Sequence, residues 1–371
     1  MPTAIGELLD QLTVTGDLYE KLPNREVRCF ACGHRCVIRE GRRGICQVRF
    51  NEGGELRVPH GYVAALQSDP VEKKPFFHVL PSVNALTFGM LGCDFHCGYC
   101  QNWLTSQAMR DSNSDASVNL IRKMSPQEMV RLAHRTNAFV VASSYNEPLI
   151  TSEWAVEIFR EAKAAGLTCA YVSNGNNTPE VMEYIRPYIS AYKVDLKSMQ
   201  DKNYRKLGGV LQNTLDGIKR AYEMGLWVEI VTLTIPGFND SNEEMWDAAR
   251  FIAGVSRDIP WHVTAFHKDY KMTDPDNTDA KTLLRAAEIG REAGLRFVYA
   301  GNLPGQVGEY ENTYCPACNH PLVKRRGYVI QEYRVTGEGK CPKCGASTPG
   351  LWHKNPSQVV LNGQGIPLPV Y

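Results

Sequence analysis

The sequence predicts an α/β fold: a complete or partial barrel of parallel strands, six or more βα units long. A small Cys-rich segment precedes the barrel and a β-rich segment follows it. Three observations carry this. Apolar runs rich in β-formers alternate with helical patterns through the middle of the chain. Those runs are apolar on both faces, as parallel strands covered on both sides are. Eleven of the twelve cysteines fall in three clusters, placed before the strands, after the first strand and near the end.

In chain order, the strand-like runs are 84–89, 138–143, 168–173, 191–196, 227–234 and 261–266, with a weaker one at 296–300. Helical patterns over 126–135, 152–165, 179–188, 211–224, 243–255 and 279–293 separate them. Ser125, Thr151 or Ser152, Thr178 and Ser241 are placed to cap helix N-termini. Gly166, Gly225 and Gly294 follow helices as C-terminal stops. In such a barrel the chemistry sits at the C-terminal ends of the strands. The predicted domains are a Cys-rich metal-binding unit at 1–80, the barrel at 81–305 and a ribbon-like unit at 306–371.

Composition limits the function classes. The formal net charge is +1 and 43% of the 371 residues are hydrophobic, which excludes a disordered or collagen-like chain. No window of about 18 uncharged apolar residues occurs, so no membrane span is expected. The stretch MPTAIGELLDQLTVTGDLYEKL lacks the basic and apolar regions of a secretory signal. A cytoplasmic location follows as the expectation. Thiols in that reducing compartment favour metal binding over disulfides.

Each cysteine cluster has its own spacing. Cys315, Cys318, Cys341 and Cys344 form two C-P-x-C knuckles around β-rich sequence, the pattern of a zinc ribbon or rubredoxin-like site. Structural zinc is expected there, with iron as the alternative. Cys29, Cys32, Cys36 and Cys46 form C-x2-C-x3-C-x9-C; zinc is the preferred reading and a second [4Fe–4S] cluster the alternative. Arg25, Arg28, Arg35, Arg39, Arg42, Arg43 and Arg49 surround this set, either as a solvated face or as a docking surface for an acidic protein or nucleic acid. Cys169 stands alone on an apolar strand and reads as a core thiol.

The middle cluster, Cys93, Cys97 and Cys100, lies in GMLGCDFHCGYCQNW directly after the first strand. Three thiolates leave one iron of a [4Fe–4S] cluster without a protein ligand, since full ligation takes four. The C-x3-C-x2-C spacing, with the aromatic Tyr99 before the last cysteine, resembles the radical SAM superfamily. SYNEP at 144–148, SNG at 173–175 and DLK at 195–197 resemble strand-end motifs of pyruvate formate-lyase activating enzymes. With TAFHKDYKM, YAGNLPG and the terminal CPxC pair, the order of motifs resembles the AmmeMemoRadiSam system radical SAM enzymes over nearly the whole chain.

The resemblance implies a partial (β/α)6-type radical SAM barrel. It implies a [4Fe–4S] cluster on Cys93, Cys97 and Cys100 whose open iron binds S-adenosylmethionine (SAM). Reductive cleavage of SAM would yield a 5′-deoxyadenosyl radical that abstracts hydrogen. Asn146 and Glu147 would hold the SAM amino end, with Tyr-Asn standing where relatives have Gly-Gly. Asn174, Asp195 and Lys197 would reach its carboxylate or ribose; Tyr99, Thr234 and Phe266 would border the cofactor. Val172 stands where activating enzymes carry an acidic residue, so their monovalent-cation site is not implied. His262 reads as a satisfied barrel histidine or a site residue, as does His267.

The resemblance also implies a flavodoxin- or ferredoxin-type electron donor and a protein substrate, with Memo-like or AMMECR-like proteins as associated partners. Modification of tRNA or another RNA is the alternative, and a non-enzymatic redox adaptor a third reading.

Overall fold

The computed structural model describes residues 4–370. Its largest sheet has nine strands. Strand β1 (Ala65–Pro70) runs antiparallel to β2 (Asn84–Gly89). From β2 onward the strands are parallel: β3 (Ala138–Ser143), β4 (Thr168–Ser173), β5 (Ala191–Asp195), β6 (Trp227–Thr234), β7 (Trp261–Ala265) and β8 (Val298–Gly301). A short strand, Leu368–Pro369, pairs antiparallel with β1 at the opposite edge from β8. The order β8-β7-β6-β5-β4-β3-β2-β1 follows the chain, so the sheet is an open, partial barrel.

Helices cross between the parallel strands: α1 (Pro126–Arg135), α2 (Ser152–Ala164), α3 (Pro179–Ile185), α4 (Asp201–Leu207), α5 (Leu211–Glu223), α6 (Asn242–Val255) and α7 (Ala280–Glu292). Side-chain oxygens of Ser125, Thr178 and Ser241 accept from backbone N–H groups three residues on, as predicted; Ser125 and Glu128 form a full capping box. Thr151 makes no such cap, and its hydroxyl donates instead to the Pro148 carbonyl. Helix α3 stops at Ile185, two residues before Pro187, rather than running to 188. The antiparallel strand β1 and the short helix α4 lie outside the sequence pattern. Among the described residues no helix is long and apolar enough to cross a membrane.

The barrel strands are buried along nearly their whole length, which is why they read as continuous apolar runs. Two small antiparallel sheets precede the barrel, one of Thr13–Thr15, Glu55–Pro59 and Phe50–Glu52, the other of Tyr19–Lys21, Val27–Cys29 and Val37–Ile38. Their Val27, Leu56 and Val58 share one apolar core with Leu149, Trp154 and Phe159 of the barrel. Arg49, 1% exposed, donates to the Ile150 carbonyl at 2.8 Å and pairs with Glu153.

After the barrel, Thr313–Tyr314, Pro321–Arg326 and Val329–Tyr333 form an antiparallel sheet with its own core, which includes Cys315 and Cys341. Buried Arg325 fastens it to the barrel by donating to the Phe77 carbonyl at 2.8 Å, and is itself steadied within the sheet by the Thr313 hydroxyl at 2.8 Å.

Gly217 sits on α5 where a helix meets the turn after β4. A Cβ there would lie 2.1 Å from the Gly175 carbonyl oxygen and 2.8 Å from Asn177 Nδ2. Gly217→Ala should therefore destabilise the protein by about 1–3 kcal/mol through overpacking. A lowered thermal midpoint checks this; an unchanged one contradicts the close approach.

Candidate functional site

The C-terminal ends of the parallel strands open into a cavity of about 590 Å³. Cys93, Cys97 and Cys100 line it from the loop after β2, and Tyr99 joins them. Burial shapes this loop. Phe95, Cys97, Tyr99, Tyr204, Ile235 and Phe266 form one buried apolar cluster, so the thiols sit against a nearly dry wall. That burial pushes the Cys97 thiol up to about 11 and raises Cys93 as well; as free thiols both are neutral. Donors already face the sulfurs: Phe95 N–H points at Cys93 Sγ (3.4 Å), and Ser106 Oγ lies 3.1 Å from Cys100 Sγ.

This donor set fits a [4Fe–4S] cluster with an open iron. Three thiols face one cavity, and their sulfurs are not all within 4.8 Å of one another, as the ligands of a single ion would be. His96 lies off the cavity wall and is not needed as a fourth ligand.

The strand ends supply the other walls. Glu147, after β3, is 2% exposed. Its carboxylate accepts from Leu149 N (3.1 Å), Ser173 Oγ (2.7 Å) and Asn174 N (2.8 Å). It therefore caps the turn Pro148–Thr151 as well as facing the cavity. Burial, then the neighbouring Asp94 charge, pushes it up to about 8. Asn146 Oδ1 accepts from Met90 N at 3.1 Å, so this side chain spans β3 and the cysteine loop. Tyr145 donates to Asp69 (2.5 Å), and Lys74 pairs with the same carboxylate.

From β5, Asp195 pairs with Lys193 and with Lys197 (3.4 Å). Burial would raise Asp195, but the two ammonium groups outweigh it and hold the carboxyl below its usual range. All three line the cavity beside Asn174. His262 lines it too, bonded to the buried Glu229 at 2.7 Å; His267 lies at its exposed rim, 2.9 Å from Gln101 Nε2.

Two expected cofactor contacts lie elsewhere. Phe266 is buried in the aromatic cluster behind Cys97, and Thr234 is buried at the end of β6; neither lines the cavity. Cys169 is buried in the main core with Phe159 and lies off the cavity.

Sequence reasoning missed Asp94. This fully buried acid follows Cys93 directly. It accepts from Asn174 Nδ2 and Asn176 Nδ2, both at 2.7 Å, and lies 3.6 Å from His34 Nδ1. A charged residue inside an otherwise apolar cysteine loop is the signal that marks it. Lys74, Lys193 and Glu72 were missed as well. Glu72 and Lys74 come from the short turn after β1 and Lys193 from the middle of β5, where no strand-end rule points.

The basic N-terminal segment is largely neutralised. Arg28, Arg35, Arg39 and Arg43 pair with Glu20, Glu180, Glu26 and Asp10, and Arg49 is buried. At the other end, the Sγ atoms of Cys315, Cys318, Cys341 and Cys344 lie mutually within 4.8 Å. The Cys315–Cys344 and Cys318–Cys341 separations are 3.6 and 3.7 Å. That is the edge of a tetrahedron around one ion with sulfur bonds of about 2.3 Å.

Glu72 borders the cavity fully buried, with Oε1 accepting from Ser82 N (2.9 Å) and Oε2 lacking a partner. Burial pushes it up to about 7 despite Arg325. A carboxyl raised on folding stabilises the fold at low pH. That contribution is lost as pH rises from the unfolded value of about 4.5 through 7. Glu72→Gln should therefore flatten the fall in stability between pH 5 and pH 7.5, a term on the order of 3 kcal/mol. Denaturant titrations at both pH values check this; parallel pH dependence in the two proteins contradicts it.

Residues 88–252 match the Radical SAM superfamily model. The uncharacterized protein MJ0808 of Methanocaldococcus jannaschii is 35% identical over 330 residues, covering 88% of this chain and 96% of that protein. The isethionate sulfite-lyase activating enzyme of Oleidesulfovibrio alaskensis is 24% identical over 177 residues, covering 46% of this chain and 56% of that protein. Among solved structures, a domain of a pyruvate-formate lyase-activating enzyme from Bacteroides vulgatus aligns with 44% of this chain and 98% of its own, at 21% identity and a TM-score of 0.39. With the cysteine loop, the cavity and a relative matched along almost its whole length, this chain belongs to the radical SAM superfamily.

Proposed function

We propose that the protein cleaves SAM reductively and uses the resulting radical to abstract hydrogen from a protein substrate. The observation that carries this reading is the placement of Cys93, Cys97 and Cys100 together on the wall of a cavity at the strand ends. When bound, a reduced cluster on these thiols supplies one electron that breaks the sulfonium S–C5′ bond of SAM, leaving a 5′-deoxyadenosyl radical.

The chain's own groups suit the rest of the task. The SAM methionyl moiety carries an ammonium and a carboxylate. The wall offers a carboxyl to the former, Glu147, and ammonium groups to the latter, Lys197 and Lys193. Asp195 fixes both lysines in place, and the burial of the lysine side chains limits solvent screening of the pairs. Phe95, Tyr99 and Phe266 back the thiols with apolar surface, which excludes water from the reacting end. A protein substrate is favoured because similarity extends to an activating enzyme, whose name records action on another enzyme. The ion pairs that occupy the N-terminal arginines remove the main support for an RNA substrate.

The test is direct. Anaerobically purified protein, reduced with dithionite and given SAM, should release 5′-deoxyadenosine and methionine, read by liquid chromatography and mass spectrometry. Cys97→Ala should lower that release at least 100-fold. Wild-type protein with a full cluster and no 5′-deoxyadenosine would sink the reading.

A further inference from the structure

Cys29, Cys32, Cys36 and Cys46 ring one small cavity closed by apolar side chains, Ile38, Ile45 and Ile150 among them. The two quartets of cysteines in this chain differ in spacing. The C-terminal four stand as a single ion requires, all within 4.8 Å of one another. Among the described residues the N-terminal four form no such group. In that respect they match Cys93, Cys97 and Cys100. A four-iron cluster puts a separate metal under each thiolate, so its ligands stand further apart than those of one ion.

The surroundings match as well. Arg49 Nη1 donates to Cys29 Sγ (3.3 Å) and Ile45 N to Cys36 Sγ (3.5 Å), as Phe95 N does to Cys93 Sγ. Hydrogen bonds to sulfur are a standard means of tuning a cluster.

A row of contacts joins the two sites. Cys32 Sγ lies 3.6 Å from His34 Nδ1, that nitrogen lies 3.6 Å from Asp94 Oδ2, and Asp94 Oδ1 lies 3.7 Å from Cys93 Sγ. The His34 ring is held from its other side, where Nε2 meets the Gly208 carbonyl at 2.7 Å. Each step is near van der Waals contact, and Asp94 is completely buried.

We propose that Cys29, Cys32, Cys36 and Cys46 hold a second iron–sulfur cluster, and that it relays single electrons to the cluster on Cys93, Cys97 and Cys100 past His34 and Asp94. The relay rests on the radical SAM reading above; the second cluster does not. In the relay a low-potential one-electron carrier protein is oxidised by one electron and the N-terminal cluster is reduced by one. The N-terminal cluster returns to its oxidised state as the electron moves to the inner site. No bond is made or broken in the transfer.

The test uses the full chain purified anaerobically, analysed for iron and zinc and by electron paramagnetic resonance after dithionite reduction. Wild type should carry about eight irons per chain, and the Cys93→Ala/Cys97→Ala/Cys100→Ala variant about four, with a reduced-cluster signal that SAM leaves unchanged. Wild type with about four irons and two zincs overturns the proposal, and that count stands even if the triple variant does not fold. For the relay, fully reduced wild type should show spin–spin broadening absent from the triple variant, and an unbroadened sum of two signals overturns it. Eight irons without 5′-deoxyadenosine formation would sink the function proposed above while leaving the second cluster in place.

Discussion

Asp94 follows directly on Cys93 and is fully buried, so its carboxylate requires donors that no solvent can supply. The fold gathers them from distant parts of the chain. Asn174 and Asn176 come from the turn after β4, and His34 comes from the N-terminal cysteine segment. Burial alone would raise this carboxyl; His34 and the two asparagines outweigh that and hold it below its usual range. The position of the cysteine loop, the SNG turn and the N-terminal segment are thereby fixed to one another. Loss of any donor leaves a buried charge under-satisfied, which costs more than the bond itself contributes.

The remaining charges of the cavity follow the same logic. Asp195 sits between Lys193 and Lys197 on the wall, and Asp69, just behind it, sits between the cavity-lining Lys73 and Lys74. Asp69 is buried and Asp195 partly so, and paired cations hold both carboxyls below their usual range. Such clusters keep charged side chains rigid inside a low-dielectric pocket, where they act at full strength on a zwitterionic ligand.

Much of the barrel was legible in the sequence because its signals are local. Runs that are apolar on both faces gave β2–β7 close to their bounds, and the serine and threonine caps predicted at α1, α3 and α6 make their bonds. Cysteine spacing, likewise local, brought out the trio that lines the cavity. What stayed hidden depends on contacts between distant segments. β1 is antiparallel and interrupted by polar residues, so it shows no barrel-strand pattern. The arginines near the first cysteines read as a free basic face, but their carboxylate partners lie up to 145 residues away. Glu147 was legible as a strand-end acid, whereas its three donors come from tertiary structure. Phe266 and Thr234 were placed from the strand ends; the pleat that turns Val231 and Leu233 to the cavity turns Thr234 away, and Phe266, just past the end of β7, packs into the aromatic cluster instead.

Gly327 and Tyr328 occupy the turn between the strands Pro321–Arg326 and Val329–Tyr333, and both line the cavity. The sheet that contributes them is organised around the four C-terminal thiols, two of which are part of its small core. An ion on those thiols and a ligand in the cavity thus stabilise the same arrangement of one sheet against the barrel. Any stiffening of that sheet by an ion would be felt at the cavity wall, and a ligand held there would in turn favour the ion-bound sheet.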